Sequence, residues 1–301
     1  MQRRRFLSLA ALSMTGAPLG GPAGCARTPS AGTTGLAPGG RGSFELELPR
    51  RVGEGTLTVH FAIPERQASD APILMVLPGR QRNAGEYLRD WLDLVDSAPM
   101  VVLSPEFPSD RFPTAAYNLG GTLENDDEFT DPRSWTFVVI EELFDHVVRA
   151  LDGNQAGYNM FGHSAGAQFI HRMVLLQENA RILTAVIANA GWYTLPESGT
   201  DYPYGLGGTP TTKKQLRHGL ETRLVVLLGS DDTDTNAESL RNTPEAEAQG
   251  DHRLERGQVF YEAGRRLAKR HGAAFAWHLL VVPGVAHEHS PMARAARLFL
   301  A

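Results

Sequence analysis

Continuous apolar runs that alternate with amphipathic segments constrain the fold of this chain more than any other feature. The apolar runs lie at 73–77, 100–103, 158–161, 183–190, 223–228 and 275–282, and segments with apolar residues at helical spacing lie at 84–96, 135–151, 165–178 and 256–271. Strands that are apolar on both faces and separated by helices indicate a parallel sheet covered on both sides. The sequence therefore predicts an α/β fold, preceded by a hairpin of 44–48 with 56–63.

Length and charge limit the number of domains and the class of partner. The chain has 301 residues and a formal charge of -5, which argues against nucleic acid as a partner. The irregular stretches at 105–133 and 199–219 are too short to form a second domain, so 43–301 is predicted to be one domain. Cys25 is the only cysteine, which excludes an internal disulfide and a zinc site with two thiolates.

The first 25 residues have the pattern of an export signal. Three arginines at 3–5 precede an apolar run at 6–14 that is too short to cross a bilayer, and RRRFL at 3–7 resembles the twin-arginine pattern. The residues AGC at 23–25 resemble the end of a lipobox, although Pro22 stands where leucine is usual. We expect an exported protein that is periplasmic, anchored through a lipid on Cys25, or secreted. Simple cleavage nearby, with Cys25 as a passive thiol, is the alternative.

Residues 26–42, rich in Gly, Pro, Ser and Thr, are predicted to be a flexible linker.

The pentapeptide GHSAG at 162–166 follows a predicted strand and precedes a predicted helix. In the G-x-S-x-G motif a serine lies in a tight strand-to-helix turn, and the small residues on either side let the strand and the helix approach each other. Ser164 is therefore the predicted nucleophile. The backbone N–H of Ala165, at the start of the helix, is a predicted oxyanion donor.

A serine hydroxyl needs a base, and the base needs an anion. His287 follows the strand-like run at 275–282 and is the predicted base, with His289 as the alternative. Asp232 follows the run at 223–228 and is the predicted acid, with Asp231 and Asp234 as alternatives. Ser, Asp and His then occur in the α/β-hydrolase order.

The second oxyanion donor is expected in the loop after the run at 73–77. That loop begins with Pro78 and Gly79, and the residue after the glycine would donate its backbone N–H, so Arg80 is the predicted second donor.

Together these residues resemble the α/β-hydrolase superfamily over about 44–301. Within it, the chain resembles the branch of polyhydroxybutyrate depolymerases and feruloyl esterases, through GHSAG at 162–166, YNLG at 117–120, AGWY at 190–193 and VPGVAH at 282–287. The resemblance implies an exported serine hydrolase that cleaves carboxylic esters through an acyl-enzyme on Ser164 and needs no cofactor and no metal.

The substrate is less closely defined by the sequence. Trp192, Tyr193 and Tyr117 are candidates for the wall of the substrate pocket, with packing under a loop as the alternative. The expected partner is a small or polymeric ester, and the membrane is a partner only through Cys25. A thioesterase or peptidase with the same residues, and a non-catalytic surface lipoprotein, remain alternative functions.

Overall fold

A computed structural model describes residues 35–124 and 128–300. The predicted export signal at 1–25, with Cys25, and most of the predicted linker lie outside the described residues. Ordered structure begins earlier than expected, because Leu36 is buried in the core and the first strand begins at Arg41, inside the stretch assigned to the linker. Among the described residues, no helix has the length and apolar character needed to span a membrane.

The centre of the fold is a sheet of eight strands, with a separate two-stranded ribbon. The strands are β1 (Arg41–Glu47), β2 (Thr56–Ala62), β3 (Ile73–Leu77), β4 (Val101–Pro105), β5 (Leu123–Glu124), β6 (Glu128–Phe129), β7 (Tyr158–His163), β8 (Ile182–Ala188), β9 (Arg223–Gly229) and β10 (Trp277–Val282). The order in the sheet is β1-β2-β4-β3-β7-β8-β9-β10, and β5 pairs with β6. The predicted hairpin of β1 and β2 is antiparallel, and β2 also runs antiparallel to β4. The other strands of the large sheet, β4, β3, β7, β8, β9 and β10, are parallel to one another. The predicted α/β fold with a mostly parallel sheet is confirmed.

Helices cover both faces of this sheet. They are α1 (Ala84–Arg89), α2 (Leu92–Ser97), α3 (Thr114–Tyr117), α4 (Val138–Ala150), α5 (Ala165–Leu176), α6 (Lys213–Glu221), α7 (Pro244–Glu247), α8 (Arg253–His271) and α9 (His289–Leu300). Neighbouring residues of a strand point to opposite faces, so each central strand contributes to two hydrophobic clusters. In β3, Met75 packs with the cluster that includes α4, α5 and α8, whereas Val76 packs with the cluster that includes α1, α2 and α9. The continuous apolar runs are explained by this burial on both sides.

Three helical segments differ from the sequence prediction. The predicted helix at 84–96 is broken at Asp90 and Trp91 into α1 and α2, and the indole of Trp91 is fully buried between them. Within the stretch predicted to be irregular, Thr212 and Gln215 form a capping box that begins α6. Helix α9 was not predicted, and its residues Met292 and Ala296 cover one face of the sheet.

Candidate active site

The order of the strands determines where a site can form. The chain adds β4 on one side of β3 and β7 on the other, so the direction of strand addition reverses between β3 and β7. In sheets of this kind, ligands bind at the carboxyl ends of the strands at such a reversal. Arg80 follows β3 and Ser164 follows β7, while Asp232 and His287 follow β9 and β10 at the same edge.

Ser164 lies in a strained turn between β7 and α5. Its φ is 55° and its ψ is -111°, a conformation that L-residues rarely adopt. A Cβ atom at Gly162 would lie 2.5 Å from the carbonyl carbon of Gly166, and a Cβ atom at Gly166 would lie 2.1 Å from the backbone oxygen of Leu77. The glycines predicted from the motif are therefore required by the close approach of α5 to both β7 and β3, which leaves the Ser164 side chain at the end of the sheet.

Ser164, His287 and Asp232 form a hydrogen-bonded series. His287 Nε2 lies 3.1 Å from Ser164 Oγ, and His287 Nδ1 lies 2.7 Å from Asp232 Oδ2. An Nδ1–H that donates to the carboxylate leaves Nε2 free to accept the proton of the hydroxyl. The structure thus brings together the three residues selected from the sequence.

The alternative residues are engaged elsewhere. Asp231 accepts a hydrogen bond from Ser230 Oγ, and Asp234 accepts one from the backbone of Asn236. His289 bonds to Asp90 rather than to Ser164. His163, a further histidine of this region, has its ring centroid 4.6 Å from that of His287. Burial holds the pKa of His163 well below its ordinary value, so this ring is neutral beside His287.

Asn189, which the sequence analysis did not select, joins the loops that carry the acid and the base. It has a positive φ of 49° just after β8. Its side-chain amide donates to the backbone oxygen of Ala286 at 3.0 Å, and its side-chain oxygen accepts from the backbone N–H of Gly229 at 2.8 Å. The loop before His287 is therefore fixed to the loop before Asp232. An asparagine after a strand carries no motif, so the sequence offered no signal for this role.

Arg253 is a second residue that sequence reasoning missed. Its guanidinium donates to Asp232 Oδ1 at 3.2 Å and to Ser239 Oγ at 2.9 Å, and both Arg253 and Asp232 are almost completely buried. The two carboxylate oxygens of Asp232 thus have different partners, since Oδ2 faces His287. This division fixes the orientation of the carboxylate.

The predicted oxyanion donors lie beside the serine. Ala165 is the first residue of α5, so its N–H has no partner within the helix, and both Arg80 and Ala165 line a cavity that contains Ser164. Tyr117 donates a hydrogen bond from its hydroxyl to the backbone oxygen of Pro78 at 2.8 Å, which supports the loop that carries Arg80.

Two of the three predicted pocket residues do not line the cavities at Ser164. Tyr117 is fully buried under the loop after β3, where its ring packs against the guanidinium of Arg82. Tyr193 is also fully buried, and its ring stacks on Phe260 at 4.6 Å. The pocket assignment is corrected for these two residues: Tyr117, the last residue of α3, and Tyr193, in the segment after β8, both turn their rings into the hydrophobic core. Trp192 does line a cavity at Ser164.

Two cavities meet at Ser164, Arg80 and Ser239. One, of about 450 Å³, extends along α5 past Ala165 and Trp192 and is lined by Arg80, Arg82 and Arg241. We call it the arginine cavity. The other, of about 260 Å³, contains His287 and His289; its further lining residues are Gly79, Gln81, Asn83, Glu86, Tyr87 and His163. We call it the histidine cavity.

The arginine cavity is cationic. Trp192, which lines this cavity, lies close to two guanidinium groups: the carbon of Arg241 is 4.9 Å from the ring centroid, and that of Arg172, which does not line the cavity, is 4.3 Å from it. Burial lowers the pKa of Arg172 to about 10. Glu238 is the one carboxylate among the described residues that line this cavity, so arginine charge is in excess there.

Two solved structures are similar to this chain over most of its length. Poly(aspartic acid) hydrolase-1 from Sphingomonas sp. KT-1 is 39% identical, with a TM-score of 0.83 over 88% of this chain and 99% of the other. LpqC, a poly(3-hydroxybutyrate) depolymerase from Bordetella parapertussis, is 30% identical, with a TM-score of 0.83 over 89% of this chain and 92% of the other.

The chain belongs to the α/β-hydrolase superfamily. Both relatives are hydrolases of polymers by name, and the predicted resemblance to the depolymerase branch is confirmed. S-formylglutathione hydrolase from Agrobacterium tumefaciens shares the fold at 16% identity and a TM-score of 0.54. No family model matches this hydrolase, and neither does any curated protein sequence.

Proposed function

We propose that this α/β-hydrolase cleaves carboxylic esters through an acyl-enzyme on Ser164. The observation that carries the proposal is the hydrogen-bonded series from Ser164 through His287 to Asp232, with distances of 3.1 Å and 2.7 Å. A serine that touches an imidazole, which in turn touches a buried carboxylate, has the arrangement that activates a hydroxyl for acyl transfer.

The chemistry follows from the positions of these groups. Ser164 Oγ attacks the ester carbonyl while His287 Nε2 takes its proton, and the amides of Arg80 and Ala165 stabilise the oxyanion. His287 then gives the proton to the leaving alcohol as the carbon–oxygen bond breaks. Water, deprotonated by His287, then attacks the acyl-enzyme. The bond between the acyl carbon and Ser164 Oγ breaks, His287 returns the proton to Ser164, and the acid is released. The loss of one oxyanion donor would raise the barrier by about 3 kcal/mol.

Labelling with a fluorophosphonate probe tests the nucleophile. The wild-type protein should take up one label, and Ser164→Ala should take up none and lose turnover of p-nitrophenyl acetate. A folded wild-type protein that takes no label would contradict the proposal and favour the alternative of a non-catalytic lipoprotein. Turnover of a thioester or a peptide amide in preference to the ester would favour the thioesterase or peptidase alternative.

A second candidate, hydrolysis of an anionic polymer, is favoured by the arginine cavity. The leaving group departs on the side of His287, so the arginine cavity, which contains Ala165, receives the acyl side of the substrate. Arginines there would bind carboxylates on that side. A relative at 39% identity is a poly(aspartic acid) hydrolase, a name that specifies such a polymer.

The relative rates at which two polymers are hydrolysed distinguish these candidates. Poly(aspartic acid) and poly(3-hydroxybutyrate) should be compared as substrates of the wild type and of Arg241→Ala, with the exposed Arg265→Ala as control. If the substrate is anionic, Arg241→Ala should lower the ratio of poly(aspartic acid) to polyester hydrolysis about tenfold, and Arg265→Ala should not change it. An equal ratio in all three proteins would remove the anionic polymer from consideration.

We also propose that the protein is exported and that Cys25 carries a lipid. The proposal is supported by the arginines at 3–5, the short apolar run and the AGC sequence at 23–25. Radioactive palmitate should label the wild type and not Cys25→Ser in an expressing bacterium. An unlabelled wild type in the periplasm or medium would contradict lipidation and leave simple cleavage.

A further inference from the structure

A second histidine–carboxylate pair lies next to the candidate nucleophile. His289, the first residue of α9, places its Nδ1 2.6 Å from Oδ2 of Asp90, which follows α1. Ser290 Oγ donates to the other oxygen of Asp90 at 2.7 Å. The His289 ring also stacks on Tyr87, with centroids 4.1 Å apart and an interplanar angle of 19°. The ring is therefore held both by its edge and by its face.

This arrangement leaves one nitrogen of His289 for a ligand. A carboxylate only accepts hydrogen bonds, so Nδ1 carries the proton, and Nε2 of the neutral ring is an acceptor. His289 Nε2 has no hydrogen-bond partner within 35–124 and 128–300, although His289 lines the histidine cavity together with Ser164 and His287. The fixed ring thus supplies an acceptor to a cavity next to the reacting atoms.

The position of His287 shows which part of an ester occupies this cavity. His287 returns its proton to the leaving oxygen, so the alcohol part must lie on the side of His287. The histidine cavity contains His287, whereas the arginine cavity contains Ala165 and its predicted oxyanion amide. The alcohol part therefore enters the histidine cavity, which is lined by polar side chains; these include Gln81, Asn83 and Glu86.

We propose that the histidine cavity is a subsite for polar alcohols and that His289 is its specificity-determining residue. His289 Nε2 accepts a hydrogen bond from a second hydroxyl of the alcohol, and Asp90 acts as a positioning residue that keeps the ring in this tautomer. A monohydric alcohol has no second hydroxyl and cannot form this bond. The inference rests on the proposed acyl-enzyme, because it assigns the alcohol subsite of the same reaction.

Acyl transfer to competing alcohols measures the subsite directly. In an equimolar mixture of glycerol and 1-propanol, p-nitrophenyl butyrate first acylates Ser164 and releases p-nitrophenol. The alcohol then attacks, a carbon–oxygen bond to the alcohol forms, the bond to Ser164 Oγ breaks, and the alcohol's proton passes through His287 to Ser164. The ratio of glyceryl butyrate to propyl butyrate compares the two alcohols on one acyl-enzyme, so it is independent of the acylation rate.

The wild type should favour glycerol, and His289→Phe, which retains a ring to stack on Tyr87, should lower the product ratio by about three- to tenfold. Asp90→Asn removes the carboxylate that fixes the tautomer and should lower the ratio in the same direction. His278→Phe, an exposed histidine of β10, is the matched control and should leave the ratio unchanged.

Other outcomes overturn the inference in distinguishable ways. A wild type without preference for glycerol, or an unchanged ratio in both His289→Phe and Asp90→Asn, would show that His289 does not select the alcohol. A fall of the same size in His278→Phe would show the effect to be unspecific. A folded wild type that releases no p-nitrophenol would overturn the proposed acyl-enzyme itself, and the subsite with it.

Discussion

Asp232 has partners for both of its carboxylate oxygens, and the pair that it forms with Arg253 is buried. Oδ1 accepts from Arg253 and Oδ2 faces His287, while Arg253 and Asp232 are each about 2% exposed. A charge in such a position is stable only with its partner, because water cannot replace the lost contact. Arg253 is therefore expected to support both the fold and the orientation of the acid.

Replacement of Arg253 tests this role. Arg253→Met should lower the free energy of unfolding by about 3–5 kcal/mol, because it leaves the Asp232 carboxylate buried without its cationic partner. It should also lower kcat more than it raises KM, because the acid is no longer held toward His287. Urea unfolding and steady-state kinetics on p-nitrophenyl butyrate measure these effects.

The matched control for Arg253 is an exposed pair in the same helix. Arg265 bonds Glu262 within α8 while both side chains are largely in solvent. Arg265→Met should change neither the unfolding midpoint nor kcat appreciably, since exposed pairs contribute little to stability. Equal destabilisation by the two substitutions would contradict a special role for the buried pair.

Single residues could be selected from the sequence only where a local pattern marks them. Ser164 lies in a motif, and Asp232 and His287 follow apolar runs, so their positions can be recognised from the sequence alone. Asn189 and Arg253 act through contacts with other segments of the chain. Asn189, for example, is 97 residues from its partner Ala286 in the sequence. The direction of an aromatic ring at a strand end is also set by packing, which is why Trp192 reaches a cavity and Tyr193 does not.

At the scale of elements, the close packing of α5 against β7 and β3 depends on Gly162 and Gly166. A Cβ atom at Gly166 would lie 2.1 Å from the backbone oxygen of Leu77, and backbone cannot move aside as a flexible side chain can. We expect Gly166→Ala to lower the free energy of unfolding by about 1–3 kcal/mol and to reduce fluorophosphonate labelling, because the turn that presents Ser164 must shift.

Gly199 provides a control for Gly166. A Cβ atom there meets nothing within 4 Å, so Gly199→Ala should leave both stability and labelling nearly unchanged. Thermal unfolding and the labelling rate should be measured on the same samples. Retention of wild-type stability and labelling by Gly166→Ala would show that β3 and α5 are less closely packed than the structure indicates.

The strands were predictable as elements because burial on both faces leaves a continuous apolar run. Helices were less predictable from the sequence where tertiary contacts determine their ends. The apolar residues at 84–96 keep helical spacing throughout the segment, but burial of Trp91 breaks the helix into α1 and α2. The end of α8 is fixed by Gly272, which has a positive φ of 60° that suits glycine after a helix.

For the whole molecule, the fold places buried histidines where they must stay neutral. His171, in α5, is fully buried; its Nδ1–H donates to the backbone oxygen of Ala167 at 3.0 Å and its Nε2 accepts from the backbone N–H of Thr194 at 2.9 Å. Protonation would remove the second bond and add a charge near Arg172. Burial, followed by the charge of Arg172, holds the pKa of His171 well below its ordinary value of 6.5.

The stability of the molecule should therefore fall in mild acid. The unfolded chain protonates His171 as the pH drops below about 6.5, while the folded chain does not, so the unfolded state binds more protons and is favoured. His171→Gln supplies an amide donor and acceptor in place of the ring and cannot titrate. Between pH 7.5 and pH 5.5 the wild type should lose about 1.4 kcal/mol more unfolding free energy than His171→Gln, measured by urea titration at each pH. The comparison uses only this difference, so other groups that titrate in both proteins cancel. Equal losses in the two proteins would mean that His171 is already protonated, or is not buried, in the folded state.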